Sequence, residues 1–299
     1  MTTPDHRRSP YEVSLDESTP PLRVRVYPAT TRGAELTDGL LWMHGGAFVG
    51  GDLNMPEGDA VCRALAANGI CCLAVDYRLA PKFGAWRAQR RPDAVRYPAP
   101  VDDCERAWRY LDDNCARLRI DPRRRYIGGA SAGATLAATL TLRLLRTSEP
   151  ARAAGAVLAY PLLHSELPAA AAPLRADLSR SRRLGQFSPA AVRWIARNYV
   201  GRGRTDRLSH AFPGGSDLSG FPRTLIHNSQ YDSLRASGER FAEELRAHNR
   251  PVDIGFEPGT RHGHLNRPDR PAFAATIRTI TDWIAAGSQS ISQPVKSPH

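Results

Sequence analysis

The sequence predicts an α/β fold with a mostly parallel sheet covered by helices on both faces. Three observations carry that prediction. Apolar runs of strand length alternate with helix-length amphipathic segments from Gly39 to Ala286. Runs such as Gly39-Leu40-Leu41-Trp42-Met43 and Ile70 to Val75 are apolar throughout, the pattern of strands buried on both sides. Finally, Tyr126-Ile127-Gly128-Gly129-Ala130-Ser131-Ala132-Gly133-Ala134 runs from a strand end through Gly-x-Ser-x-Gly into a segment with Leu136, Leu140 and Leu144 one turn apart. That order of strand, sharp turn and helix exposes a serine hydroxyl at a helix N-terminus.

In chain order, Tyr11 to Leu15 and Leu22 to Tyr27 alternate polar and apolar residues around Pro20-Pro21, as antiparallel strands at a sheet edge do. The strand Gly39 to Met43 ends at His44-Gly45-Gly46-Ala47-Phe48. A helix is expected from Pro56 to Asn68, then the strand Ile70 to Val75, a helix from Ala99 to Leu118, and the Ser131 strand and helix. The strand Ala153 to Tyr160 follows, closed by Pro161. From His164 to about Ser219 the pattern loosens into Ala, Arg, Ser, Pro and Gly, with one helical piece at Pro189 to Val200, which suggests a cap-like excursion over the site. Regularity returns with the strand Arg223 to Ser229, the helix Ser233 to His248, the strand Val252 to Phe256 and the helix Pro271 to Ala286. Gly287 to His299 is polar and is expected to be a disordered tail. No composition break divides the 299 residues, so a single domain over 1–299 is expected.

Net charge is +11, and Lys82 and Lys296 are the only lysines, so the basic charge is nearly all arginine. The arginines are scattered, with no basic helix and no aromatic RNA-binding motif, so no nucleic-acid partner is expected. Met1 to Pro10 is polar with no apolar stretch behind it, so no signal peptide is expected. Apolar runs stay at strand length, far short of a membrane span, and a cytoplasmic protein without a membrane partner follows as the expectation. Cys62, Cys71, Cys72, Cys104 and Cys115 lack Cys-x-x-Cys spacing and suit buried reduced thiols rather than a metal site.

A serine on such a turn needs a base, an orienting acid and donors for a tetrahedral oxyanion. Asp232, between the strand Arg223 to Ser229 and the next helix, is the candidate acid, with helix capping as its ordinary role. His262, in Pro258-Gly259-Thr260-Arg261-His262-Gly263-His264 after the strand Val252 to Phe256, is the candidate base. His264 is its rival two residues on, and His44, His164 and His227 are weaker substitutes. The order Ser, Asp, His along the chain is one of the known triad orders. The strand-end run His44, Gly45, Gly46, Ala47 would offer the backbone N–H groups of Gly46 and Ala47, with that of Ala132, to an oxyanion; His44 itself is expected to bond within the loop.

These motifs resemble the hormone-sensitive-lipase-like branch of the α/β-hydrolases, a group of carboxylesterases and deacetylases. The resemblance is carried by His44 to Phe48, Asp76-Tyr77-Arg78-Leu79-Ala80-Pro81, Tyr97-Pro98-Ala99-Pro100-Val101-Asp102-Asp103, Gly129 to Gly133, Tyr231-Asp232-Ser233-Leu234 and His262-Gly263. It spans Leu22 to about Trp283. It implies the α/β-hydrolase fold with a small cap insertion, and Ser131, Asp232 and His262 as a triad with no metal or cofactor. It also implies Asp76 and Arg78 as a structural pair. The expected activity is removal of a short acyl group, acetyl above all, from an ester or N-acetylated small molecule through an acyl-enzyme. A general short-chain carboxylesterase is the alternative, and a non-catalytic ligand receptor on the same fold is the rival from another class, opposed by the presence of His262. Length and arginine-rich texture are similar to the acetyl-hydrolases of actinobacterial antibiotic pathways, those of acetylated phosphinothricin tripeptide (bialaphos) among them.

The chain departs from the branch at Ala47, where a third glycine is common, and at Ala130, where an acidic residue commonly precedes the nucleophile. Strand-like alternation begins by Tyr11, so the N-terminal cap helices of many relatives are not expected here, and the link Lys82 to Arg96 is longer than usual. That link carries Arg87, Arg90, Arg91 and Arg96; with Arg175, Arg180, Arg182 and Arg183 of the excursion, it suggests recruitment of an anionic leaving group. The edge strand at the end of the sheet leaves a homo-oligomer open.

Overall fold

The computed structural model describes residues 9–15, 21–30, 35–85, 91, 93–147, 152–180, 186–201 and 203–292. Eight strands form one sheet: Tyr11–Ser14 (β1), Arg23–Tyr27 (β2), Thr37–Met43 (β3), Ile70–Val75 (β4), Ile120–Ala130 (β5), Gly155–Ala159 (β6), Arg223–Ser229 (β7) and Val252–Glu257 (β8). Their spatial order is β1-β2-β4-β3-β5-β6-β7-β8. The β1–β2 and β2–β4 pairs are antiparallel, and every other pair is parallel. Of the two antiparallel strands, β1 alone is an edge; β2 is paired on both sides.

The unbroken apolar strands follow from burial on two faces. Leu41, Met43, Leu73 and Val75 point into one core, which holds Val101, Trp108, Leu136, Leu140, Phe241 and Leu245. Their neighbours Leu40, Trp42, Cys72 and Ala74 point into the other, with Val61, Leu65, Ile277, Ile280 and Trp283. The helices Ala99–Asp113, Ala132–Arg146 and Arg235–Ala247 thus cover the first face, and Pro56–Ala67 and Pro271–Ser292 the second. Leu136, Leu140 and Leu144 are all buried; each side chain removed from water contributes about 1.5–3 kcal/mol, which holds the Ser131 helix firmly under the site.

Several local expectations are corrected. The helix expected over Ala99 to Leu118 stops at Asp113, where the Asn114 amide bonds the Tyr110 carbonyl and a separate turn, Cys115–Leu118, follows. An asparagine side chain competing for backbone carbonyls favours such a break. The tail expected from Gly287 begins later. The last helix continues to Ser292 because buried Ser288 hydrogen-bonds Tyr126 Oη at 3.1 Å and the Asp38 carboxylate; residues 293–299 lie outside the described residues. The excursion contains the helix Ala172–Arg180 and the short Leu208–Ala211 in addition to Pro189–Val200. Asp76 and Arg78 do not pair with each other. Asp76 bonds Arg23 at 2.5 Å, whereas Arg78 holds Asp103 at 2.8 and 2.9 Å.

The five cysteines are free and buried. Among the described residues no helix is long and apolar enough to cross a membrane, and no group of His, Cys, Asp and Glu is arranged to hold a metal ion.

Candidate active site

The site gathers at the C-terminal ends of the parallel strands, where loops diverge and ligands of open α/β sheets are bound. Ser131 follows β5 directly, with φ +54° and ψ −118°. A non-glycine residue so held costs about 1–3 kcal/mol, a strain sustained by packing on either side. The flanking glycines are sterically required. A Cβ on Gly129 would lie 2.5 Å from the Gly133 backbone, and one on Gly133 would lie 2.1 Å from the Met43 carbonyl oxygen. The strand, the turn and the end of β3 therefore touch backbone to backbone.

The structure brings Ser131, His262 and Asp232 together. Ser131 Oγ lies 2.8 Å from His262 Nε2, and His262 Nδ1 lies 2.6 Å from Asp232 Oδ2. Asp232 Oδ1 also accepts the Leu234 N–H at 2.9 Å, so the carboxylate shapes the turn before the helix Arg235–Ala247 while facing the imidazole; it does not cap that helix as expected, since the N-cap is Leu234 and no side chain bonds there. Burial, the largest influence on His262, pulls its pKa down. The charge of Asp232, its hydrogen bond and the field of Glu57 act the other way and leave the pKa raised above 6.5. The imidazole can take a proton from Ser131 Oγ, and Asp232 fixes Nδ1 as the protonated nitrogen.

His264 turns away from the site. Its Nδ1 meets Ser229 Oγ at 2.9 Å and its Nε2 meets Thr276 Oγ1 at 2.8 Å, and burial drives its pKa down to about 3. The other histidines are also engaged elsewhere, His227 with Glu257 at 3.3 Å and His164 with Ser237 and Glu244 at 2.9 and 3.2 Å.

The loop after β3, expected to carry oxyanion donors, is tightly turned. Gly46, Ala47 and Phe48 have φ of +112°, +53° and +64°, and the Gly46 carbonyl accepts the N–H groups of Val49 and Gly50, each at 3.0 Å. A Cβ on Gly46 would lie 2.1 Å from the Gly50 oxygen. Ala47 adopts the left-handed conformation without glycine's freedom, a local strain. His44 is buried and stacked on Tyr77, centroids 4.4 Å apart, with its Nδ1 2.7 Å from the Gly45 carbonyl oxygen. Burial lowers its pKa, so His44 is a neutral brace of the loop. Ala132, first in its helix, carries one of the N–H groups that a helix start leaves without an intrahelical acceptor.

Sequence reasoning missed four residues of this site. Phe187 and Tyr160 pack their rings edge-on against His262, at 4.9 and 5.1 Å. Ser233 Oγ accepts the Phe187 N–H at 2.8 Å, tying the excursion to the Asp232 loop. Glu57 is buried beneath the Gly45 loop. Tyr160-Pro161 at a strand end and the place of Ser233 in Tyr231-Asp232-Ser233-Leu234 were the available signals; nothing in the local sequence marks Phe187 or Glu57.

Of the arginines considered for an anionic leaving group, Arg87, Arg90, Arg182 and Arg183 lie outside the described residues. Arg91 pairs with Asp93, Arg180 with Asp177, and Arg96 and Arg175 donate to the carbonyls of Asn198 and Ala170. Those engagements supply no argument for an acidic substrate.

Comparison with known proteins agrees with this fold. A family model described as the alpha/beta hydrolase fold matches residues 40–266. The chain is 30% identical over 227 residues to the carboxylesterase NlhH of Mycobacterium tuberculosis, an alignment covering 76% of this chain and 66% of that protein, just under two thirds of its length. It is 29% identical over 248 residues to an ethyl acetate hydrolase of Pseudomonas putida, covering 82% and 71%. The solved structure of a Pyrobaculum calidifontis esterase superposes with a TM-score of 0.77 at 27% identity, covering 95% of this chain and 86% of that one.

Proposed function

The chain belongs to the α/β-hydrolase fold family, and from that premise we propose that it is a carboxylesterase using Ser131 as nucleophile, His262 as base and Asp232 as orienting acid. The observation that carries the reading is the continuous hydrogen-bonded path from Ser131 Oγ through the imidazole to Asp232, 2.8 and 2.6 Å long at its two links. Relatives named as carboxylesterase and ethyl acetate hydrolase support it.

In the proposed reaction Ser131 Oγ attacks the acyl carbonyl carbon as its proton passes to His262 Nε2. The carbonyl π pair moves onto oxygen, and the resulting oxyanion is received by the N–H groups of Gly46, Ala47 and Ala132. Each such donor is typically worth about 2.7–4 kcal/mol in the transition state. The tetrahedral species collapses, the bond to the leaving oxygen breaks, and His262 returns the proton to the departing alkoxide. Water, deprotonated by the same imidazole, then releases the acid and regenerates Ser131. Asp232 stabilises the imidazolium throughout and stays ionised.

Within this class we take the acyl group to be short, acetyl above all, in line with the ethyl acetate hydrolase relative. Turnover on acetyl, butyryl and longer esters, alongside N-acetylated amino acids and peptides, tests both the chain length and the deacetylase alternative, including the antibiotic-pathway role. The expected profile is highest kcat/KM on acetyl esters and a loss of roughly 10⁴-fold or more in kcat for Ser131→Ala. Full-rate turnover by Ser131→Ala overturns the assignment, and preference for N-acetyl peptides moves it to a deacetylase.

A further inference from the structure

Glu57 is outside the proton path, yet it touches both sides of the site. It is the second residue of the helix Pro56–Ala67 and is 1% exposed. A carboxylate at that depth is tolerated only when its oxygens are satisfied. Oε2 accepts the Gly45 N–H at 2.6 Å, and Oε1 accepts the Tyr160 hydroxyl at 2.6 Å and the Asn266 side-chain amide at 3.1 Å. The three donors come from the loop after β3, the end of β6 and the turn that follows His262. Gly45 leaves the necessary room, since a Cβ there would sit 2.2 Å from Oε2.

We propose that Glu57 is a positioning residue that locks the Gly45–Ala47 loop to the His262 loop. The inference rests on the serine-hydrolase reading above. Both halves of the machinery are then referenced to one rigid carboxylate: the oxyanion loop through a backbone N–H, and the imidazole through the Tyr160 ring packed against it at 5.1 Å. The groups around His262 are the Asp232 carboxylate, the Ser131 hydroxyl, the Tyr160 and Phe187 rings, and His264, which is neutral at working pH. Asp232 and Glu57 are the two anions that raise the His262 pKa against its burial. With Glu57 uncharged, Asp232 alone opposes that burial.

Kinetics of Glu57→Gln and Glu57→Asp across pH, on an acetyl ester, test this, with Ser131→Ala as the control for the underlying reading. Glu57→Gln removes the charge and leaves one donor facing an amide N–H. Its kcat is expected to fall about ten- to a hundredfold with KM little changed, and the acid limb of kcat/KM moves to lower pH. Glu57→Asp keeps the charge but shortens the reach, so kcat falls while the acid limb stays in place. If Ser131→Ala is inactive while Glu57→Gln matches the wild type in kcat and acid limb, the positioning role is wrong and the triad stands. If Ser131→Ala is active, the reading itself fails. Should thermal melts show Glu57→Gln unfolded, Tyr160→Phe decides: it removes one of the three donors, and a kcat identical to wild type overturns the role, whereas a several-fold loss at constant KM supports it.

Discussion

Two carboxylate oxygens of Asp232 do different work. Oδ1 closes the turn at Leu234 and Oδ2 faces His262 Nδ1 at 2.6 Å. An amide in its place keeps the turn but can present an N–H to the imidazole and force the wrong tautomer. Asp232→Asn is therefore expected to lower kcat by about 10³–10⁴-fold with an unchanged melting temperature, measured by steady-state kinetics and thermal denaturation. The same pairing sets the acid limb of the wild-type enzyme. His262 must be neutral to accept the Ser131 proton, and its pKa is raised above 6.5, so kcat/KM falls on acidification with an apparent pKa above 6.5. A limb centred below 6.5 would contradict the geometry. At this scale the sequence named His262 as the base and left His264 as its rival, because both follow β8 and lie two residues apart; the hydrogen bonds of the two imidazoles separate them. Gly263, at φ +77°, turns the chain between them, sending His262 toward Ser131 and His264 into the packed interior.

Elements differ in how openly their sequence declares them. β4, the helix Pro189–Val200 and β7 coincide with the expected spans, since each is a run of one apolar period closed by Pro, Gly or polar residues. The helix Ala172–Arg180 was missed because it buries only Leu174, too little for a visible periodicity. The end of the last helix was missed for a different reason. Gly287-Ser288-Gln289-Ser290 looks like a linker, yet Ser288 is drawn inward by Tyr126 and Asp38, which lie far away in sequence. Burial raises the Asp38 pKa while its bond to Ser288 opposes that shift. Ser288→Ala leaves the carboxyl short of a donor, and a stability loss of about 1–3 kcal/mol is expected from urea denaturation, with esterase kinetics unchanged. No change in the urea midpoint would mean that the last turns add nothing to the fold.

Across the whole molecule, pH acts on stability through histidines of opposite sense. His264 stays neutral in the folded state down to a pKa of about 3, whereas unfolded histidine protonates near 6.5. Its contribution is complete above 6.5 and is lost as pH falls, by about 3 kcal/mol at two units below that value. His227, also lowered by burial, adds in the same direction. His262, raised in the folded state, contributes below 6.5 and loses that contribution as pH rises through its folded pKa. The net charge of +11 grows on acidification and adds self-repulsion. The urea midpoint is thus expected to drop between pH 7 and 4.5, and the drop should be smaller in His264→Gln. An equal drop in both proteins would assign the acid lability to overall charge alone.

The α/β class, the parallel core strands and the Ser131 turn were determined by sequence alone, because they depend on local matters: apolar period, glycine where Cβ atoms collide, and a strand running straight into a helix. The separate destinations of His262 and His264, the exchange of partners by Asp76 and Arg78, and the burial of Glu57 were decided only by the tertiary structure. Each depends on hydrogen-bond partners brought together from distant strands: Glu57 and Tyr160 are 103 residues apart, and Ser131 and His262 are 131 apart. A charged side chain in a sequence does not show whether water or a ring of donors surrounds it; the sheet, by gathering its loops at one rim, supplies those donors.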